Sequence, residues 1–444
     1  MNTYDTEQML QVLATKGFES AKSPDEAQLI VINSCSVREK SETKALSQLG
    51  RFAALKKSDP SKVLAFGGCV GQTEGPKLKK QFPFLDLVFG TNNYRDLPEM
   101  LDEFTPRWNE IGGDEERDLL VPSKRPEAKS QAFITITNGC DKFCSYCIVP
   151  FTRGREISRS PEEIVEEAAV LVQQRGVKEI MLLGQNVNSY WGKNKQGAFT
   201  SLFQLLELFQ KESEGGKLNG LKRLRYTTSH PRDFDEDLAR AFRDFPVLCE
   251  FLHLPFQAGS DAVLRKMRRF YTAKDFLRKM ELVRKYRPDI ALSTDVIVGF
   301  PTETRADFEE TLRVIREVEF DNIYSFIYSE RPYTRSEQWV DDVPLAEKKS
   351  RIHELLDTQR AISKKKYSED IGQIAEVLVE GRSKNNASLW TGRTRKNRVI
   401  HFTDEVPGIA PVKEGDFLNL LVTDASHSWQ AGELPLKEHQ WPAA

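Results

Sequence analysis

Short apolar runs and longer amphipathic stretches take turns along the first hundred residues. An amphipathic stretch over 6–16 leads to the apolar run 28–33, which ends just before Cys35. A Lys- and Glu-rich segment over 37–57 reads as a helix, and a second apolar run, 62–66, stops at Gly67, Gly68 and Cys69. A third run, 85–90, completes the set. Strands separated by helices predict a parallel sheet, and ligands bind such sheets at the carboxyl ends of the strands. Cys35 and Cys69 both stand at such ends, either as a functional pair or as two buried structural thiols.

The alternation restarts after a Pro-, Glu- and Lys-rich stretch, 106–130, that reads as a linker. Strand candidates then fall at 133–137, 179–183, 221–227, 251–254, 290–298 and 322–328. Helix candidates lie between them at 161–175, 201–212, 234–244, 260–267 with 273–286, and 304–318. Ser160, Pro161, Glu162 and Glu163 set an N-cap, a first-turn proline and early acids in order. Six strands with intervening helices predict a partial (β/α)6 barrel, with its chemistry on the loops after the strands. Helical residues rich in Lys and Arg continue over 345–369, and short runs at 374–379, 399–402 and 417–422 then predict a small β-barrel. The chain reads as an α/β protein with an N-terminal domain over 1–105, a linker over 106–130, a core over 131–365 and a C-terminal barrel over 370–438.

Composition narrows the function. Of 444 residues, 39% are hydrophobic and 29% charged, enough apolar matter for several cores. Lys plus Arg number 64 against 66 Asp plus Glu, so any nucleic-acid surface must be local. No apolar run approaches the roughly 18 residues of a membrane helix, and the polar, acidic start is unlike a signal peptide. A cytoplasmic protein without membrane contact is expected. Six cysteines are too few for a disulfide scaffold, yet Cys140, Cys144 and Cys147 fall together.

Their spacing, Cys-x3-Cys-x2-Cys, follows directly on the first core strand. Structural zinc asks for four ligands, usually in two separated pairs, and none of the six histidines is near the loop in sequence. A redox pair would leave Cys140 without a role. An iron–sulfur cluster takes thiolates on its irons, and three of them leave one iron open to chelate a small molecule.

This loop, with Tyr146 before its last cysteine, resembles the signature of the radical S-adenosylmethionine (SAM) superfamily. The segments 150–159, 183–190, 225–231, 253–260, 293–301 and 324–329 resemble its methylthiotransferase branch, and within it the MiaB-type tRNA enzymes, over nearly the full length. Segments 227–231 and 392–399 favour that type over relatives acting on threonylcarbamoyl-adenosine tRNA or a ribosomal protein. A non-catalytic iron–sulfur RNA-binding protein is the alternative from another class. The resemblance implies addition of a methylthio group to C2 of N6-isopentenyladenosine at position 37, next to the anticodon. It implies two 4Fe-4S clusters. One is held by the catalytic thiolates Cys140, Cys144 and Cys147, and its open iron takes SAM and yields a 5′-deoxyadenosyl radical. The other carries the sulfur, with Cys35 and Cys69 at two of its three ligand positions; one SAM methylates that sulfur and a second provides the radical. The family's third ligand precedes the segment that is here 1–7, so the true start is expected upstream of Met1. Implied partners are the tRNA anticodon stem–loop, an electron donor such as flavodoxin, and iron–sulfur assembly proteins. A monomer is expected.

Other residues carry readings of their own. Gln185 lies in the loop after the second core strand, where this superfamily contacts the SAM amino group; a solvated amide is the plain alternative. Ser293, Asp295 and Gly299 surround the fifth strand, where ribose and adenine contacts are usual, although Asp295 also suits a structural cap. Thr302 stands where relatives often carry Gly. Cys249 reads as a buried thiol, and His230 and His253 as structural or substrate-contacting. The window 381–400 holds six basic residues (Arg382, Lys384, Arg393, Arg395, Lys396 and Arg398) and no acid. It resembles the TRAM domain, an RNA-binding module, with Trp390 available to stack on RNA; a solvated loop is the alternative. Arg265, Lys266, Arg268 and Arg269 form a second basic group at the approach to the barrel mouth.

Overall fold

The strand Val63–Gly68 is buried at all six positions, as a central parallel strand covered on both faces must be. In the computed structural model, which describes residues 1–37, 39–102, 130–404 and 411–435, it pairs with Leu29–Ser34 on one side and Leu87–Val88 on the other. Side chains alternate across this sheet. Ile30, Ile32, Leu64 and Phe66 join one apolar cluster, while Val63 and Ala65 join another with Met9, Leu13 and Leu97. The helices Asn2–Thr15, Glu39–Ser58 and Cys69–Gln81 belong to the same sheet domain. The last was not legible in the sequence, because Gly71, Gly75 and Pro76 hide its periodicity. Of the predicted linker 106–130, all but Ser130 lies outside the described residues.

The chain divides into two compact units. The first comprises Met1–Glu127, Thr137–Ile157 and Ser329–Gln338, so the cysteine loop groups with the N-terminal sheet. The second comprises Ala128–Ile136, Ser158–Tyr328 and Trp339–Ala444.

The second unit contains the six predicted core strands as two parallel sheets of three. One has the order Arg223–Tyr226, Glu179–Leu183, Gln131–Thr135; the other runs Phe251–His253, Ala291–Val298, Asn322–Ile327. Backbone bonds from Leu224 N to Val247 O (2.7 Å) and from Cys249 N to Leu224 O (2.9 Å) link them into one arc. The intervening helices begin where the sequence puts their caps. The Ser160 hydroxyl accepts from Glu163 N, and Ser201, Thr272 and Thr304 close reciprocal capping boxes. The hairpin Trp191–Lys193 with Phe199–Ser201 is an addition that the apolar pattern did not announce.

Helix Leu345–Ser368 leads to a closed barrel in the order Ile374–Arg382, Trp390–Thr394, Val399–Phe402, Gln430–Glu433, Phe417–Ala425. Two of these strands, Trp390–Thr394 and Gln430–Glu433, are short with few apolar residues and escaped the sequence reading. The core strand Arg223–Tyr226 also departs from its apolar appearance. Arg223 and Arg225 are fully buried and reach to the barrel, donating at 2.7–2.8 Å to the carbonyls of Arg393, Thr394 and Arg395. Arg223 also meets Glu376 at 2.9 Å, and Arg225 meets Glu179 at 3.0 Å. No helix among the described residues is long and apolar enough to cross a membrane.

Candidate active site

The loop that carries Cys140, Cys144 and Cys147 is shaped by its own backbone. Gly139 has φ +80°, and a Cβ there would lie 2.1 Å from the Arg155 carbonyl oxygen, so only glycine lets the two segments approach. Phe143 takes a left-handed conformation, φ +47°. Cys140 N donates to Gly154 O at 3.2 Å and Cys147 N to Cys144 O at 3.0 Å, while Arg155 pairs with Asp141 at 2.9 Å. All three thiols are half-buried. Burial, with the nearby Cys144 opposing ionisation, pushes the Cys140 thiol up to about 11, so without a metal it stays protonated near neutrality. Among the described residues no three His, Cys, Asp or Glu side chains converge on a single-ion position. A cube that takes one thiolate on each of three irons suits spaced sulfurs of this kind, and the all-thiol donor set suits iron–sulfur ligation.

Cys35 and Cys69 stand side by side because Ser34 and Gly68 are register partners in the parallel sheet. Cys35 is half-exposed and Cys69 is buried as the first residue of its helix. Burial raises the Cys69 thiol above its ordinary range. Opposing this, Ser36 N–H, the Thr152 hydroxyl and the charge of Arg153 act on its sulfur. The Arg153 guanidinium donates to Asp5 at 2.5 Å and to Asn138 at 3.2 Å, and is almost entirely buried. Donors gathered on a thiol sulfur favour its charged form, the form that binds metal. Thr152 and Arg153 were not anticipated; the chain pattern around them shows only a short stretch after the last loop cysteine.

In the second unit, loops at the carboxyl ends of the strands hold unsatisfied polar atoms. Asn186 fastens two of these loops, donating to Asp233 at 2.6 Å and accepting from His230 N at 2.9 Å. Beside it, Gln185 Oε1, both polar atoms of Asn188 and Ser229 Oγ are buried without hydrogen-bond partners. Each such atom costs about 1–3 kcal/mol unless a ligand completes it. Asn188 and Ser229, 8% and 5% exposed, were missed, since nothing in sequence separates a buried loop amide from a solvated one.

Ser293 and Asp295 project from one face of their strand, two residues apart. His253, opposite Ser293 in register, approaches both: Nδ1 is 2.9 Å from Ser293 Oγ and Nε2 is 3.7 Å from Asp295. The edge of Tyr324, itself half-open to solvent, meets the imidazole at 5.7 Å. Gly299 has φ +68°, its N–H donates to Glu303 at 2.6 Å, and a Cβ would collide with the Lys348 side chain at 2.3 Å. Its local contacts are those of a turn position.

Models of three families match the chain. The Radical SAM superfamily matches residues 134–315, the Uncharacterized protein family UPF0004 residues 1–90, and the TRAM domain residues 369–429. A tRNA-2-methylthio-N(6)-dimethylallyladenosine synthase of Alteromonas mediterranea is 40% identical over 99% of this chain and 91% of its own length. One of Syntrophotalea carbinolica is 41% identical over 93% and 94%. The chain belongs to the tRNA-2-methylthio-N(6)-dimethylallyladenosine synthase family. A solved radical S-adenosylmethionine methyltransferase, TsrM of Kitasatospora setae, shares the fold with a TM-score of 0.53 at 17% identity, over 75% of this chain and 74% of that one.

In this synthase-family chain the basic window divides in two. Arg398 is 3% exposed; it contacts Asp370, donates to Asp321 at 2.5 Å, and faces the Tyr367 ring at 4.8 Å. Arg395 pairs with Glu250 at 2.8 Å and donates to the carbonyls of Pro246 and Leu248. Arg393 pairs with Glu380 at 2.7 Å, and Lys396 with Asp370 at 3.4 Å. Buried and partly buried carboxylates, invisible in a local count of charge, hold these four cations. Arg382 and Lys384 are exposed, with Arg382 lying 4.2 Å over the half-buried Trp390 ring and 3.2 Å from Asp404. Cys249 is buried as expected.

Proposed function

We propose that this chain adds a methylthio group to C2 of N6-isopentenyladenosine beside the tRNA anticodon. The carrying observation is the three-thiol loop after the first core strand, in a chain about 40% identical to relatives of that name over nearly its whole length. An aromatic C2–H has no leaving group to displace, so a carbon radical is the suited agent. Bound by Cys140, Cys144 and Cys147, a 4Fe-4S cluster supplies an open iron for SAM and the electron that cleaves its sulfonium bond.

The chain's own residues hold and orient. Gln185, Asn188 and Ser229 offer a donor and several acceptors to the charged amino-acid end of SAM, which would satisfy their buried polar atoms. Asp295, with Ser293 and His253 behind it, accepts ribose hydroxyls, and Gly299 sets the turn beyond. Cys35 and Cys69 hold a second cluster as sulfur carrier, with the charge of Arg153 favouring the Cys69 thiolate. Arg382 and Lys384, with Trp390, contact RNA from the C-terminal barrel. The partners are the tRNA anticodon stem–loop, an electron donor such as flavodoxin and iron–sulfur assembly proteins, in the cytoplasm.

Anaerobically reconstituted protein, chemically reduced and given SAM with an isopentenylated stem–loop, tests the reading. It should release 5′-deoxyadenosine and yield the methylthio nucleoside. SAM left intact, or a stem–loop left unmodified while SAM is cleaved, contradicts it at the first or second stage respectively.

A further inference from the structure

Arg265 and Arg268 of the second basic group, with Arg232 from a neighbouring loop, differ from the C-terminal window in one respect: they are not spent on carboxylates. Arg232, Arg265 and Arg268 form no ion pair among the described residues. Between two of them stands Phe270, a phenylalanine 59% exposed, with the Arg232 and Arg268 guanidinium carbons 5.6 and 5.7 Å from its ring centre. Both distances lie within the about 6 Å of a cation–π contact, and the ring still keeps more than half of its surface exposed.

The backbone holds this display at a cost. Helix Asp261–Lys266 ends in a loop where Arg268 (φ +58°) and Phe270 (φ +57°) are both left-handed, a conformation unfavourable for a residue that bears a side chain. Arg269 between them points inward, 4% exposed, donating to Pro255 O at 2.7 Å and to Tyr271 Oη at 3.2 Å. Tyr271 Oη in turn donates to Phe256 O at 2.6 Å. One residue anchors the loop and its two neighbours are turned out. Strain of this kind persists only where the surroundings impose it, and it gathers at functional sites.

The placement matters. Arg232 belongs to the loop after strand Arg223–Tyr226, and the anchor at Pro255 to the loop after Phe251–His253. Both lie at the carboxyl ends of the parallel strands, where folds of this kind carry their chemistry. The nearby acids are engaged: Asp233 accepts from Asn186, Asp235 caps Leu238 N, and Asp261 accepts from Ala273 N.

We propose that Phe270 is a stacking platform for an unpaired RNA base, with Arg232 and Arg268 taking the phosphates on either side. The proposal rests on the tRNA reading above and names where that RNA is gripped. An open aromatic ring between unpaired guanidiniums is the chemistry that recognises single-stranded RNA, by base stacking together with phosphate contact.

A synthetic anticodon stem–loop carrying 2-aminopurine in its loop tests it through affinity by anisotropy and stacking by fluorescence quenching. F270A and F270L should weaken binding about five- to a hundredfold and relieve the quenching at one loop position, while F270W should retain both. R232Q and R268Q should each lower the salt-dependence slope by about one. Unchanged affinity and quenching in F270A and F270L overturn the platform, as does weakened binding with quenching intact at every labelled position. Failure of the unsubstituted protein to bind the stem–loop would instead defeat the tRNA reading beneath it. Circular dichroism melts identify any variant whose loss is one of folding, and the R232Q slope then decides.

Discussion

The Arg153 guanidinium donates to Asp5 at 2.5 Å, and its charge favours the ionised form of the Cys69 thiol. Six residues after the last cysteine of the loop, the chain thus sends a buried cation to a thiol at the end of the N-terminal sheet. Both members of the ion pair are nearly excluded from water, with side chains 6% and 10% exposed.

Removing one partner from such a pair strands the other. Arg153→Met should destabilise the first unit by about 3–5 kcal/mol, measured by anaerobic denaturant unfolding of the metal-free protein. Arg153→Lys should fall between, since an ammonium cannot reproduce the fork that reaches Asp5 and Asn138 together. A loss below about 1 kcal/mol for Arg153→Met would mean that the pair is screened as if exposed.

Thr302 has φ +72°, a left-handed conformation for a β-branched side chain. Relief of that strain, less the added freedom of the unfolded chain, should leave Thr302→Gly about 0.5–1 kcal/mol more stable. Gly299→Ala, three residues earlier, should go the other way, because the new Cβ would strike Lys348. Paired denaturation curves check both signs, and a destabilised Thr302→Gly would contradict the account.

The seam between core and C-terminal barrel carries a pH dependence of definite sign. Burial pushes the Glu250 carboxyl up, but the hydrogen bond and charge of Arg395, with Arg287 behind, bring it below the ordinary range. Asp370 is likewise pushed up by burial and brought below it by the Arg398 charge and a Gln430 hydrogen bond. A carboxyl depressed in the folded state contributes fully above its unfolded value, about 4, and loses that contribution as pH falls through the folded value. The stability gap between the unsubstituted protein and Arg395→Met should therefore be widest near neutrality and shrink below about pH 4. A gap constant down to pH 3, measured by urea unfolding, would contradict the pairing.

On RNA, the two halves of the basic window should separate. Lys384 is exposed and forms no ion pair among the described residues, so Lys384→Ala should reduce the salt slope of stem–loop binding by about one. Arg398→Gln should act on stability, through the stranded Asp321 and Asp370, before it acts on that slope. Equal slope changes for both would reverse the assignment.

These contrasts show what the sequence could disclose. Strand 179–183 and helix 304–318 were legible because their apolar positions keep one period and their caps are local. Trp390–Thr394 was not, because a strand of a small closed barrel buries few of its side chains. The cysteines announced themselves by spacing. Asn188, Ser229 and Arg153 did not, since their meaning lies in partners distant in the chain or in atoms left without any. The ion pairs of Arg395 and Arg398 were hidden for the same reason: a local tally sees their charge and not Glu250, Asp321 and Asp370.

The central claim is that the thiolates of Cys140, Cys144 and Cys147 enable methylthiolation of tRNA. Its most direct test is mass spectrometry of tRNA nucleosides from a strain deleted for this gene and complemented with either the unsubstituted chain or Cys144→Ser. The account predicts that 2-methylthio-N6-isopentenyladenosine disappears on deletion, returns with the unsubstituted chain, and stays absent with Cys144→Ser while N6-isopentenyladenosine accumulates. Nucleosides unchanged by deletion, or restored in full by Cys144→Ser, would contradict it.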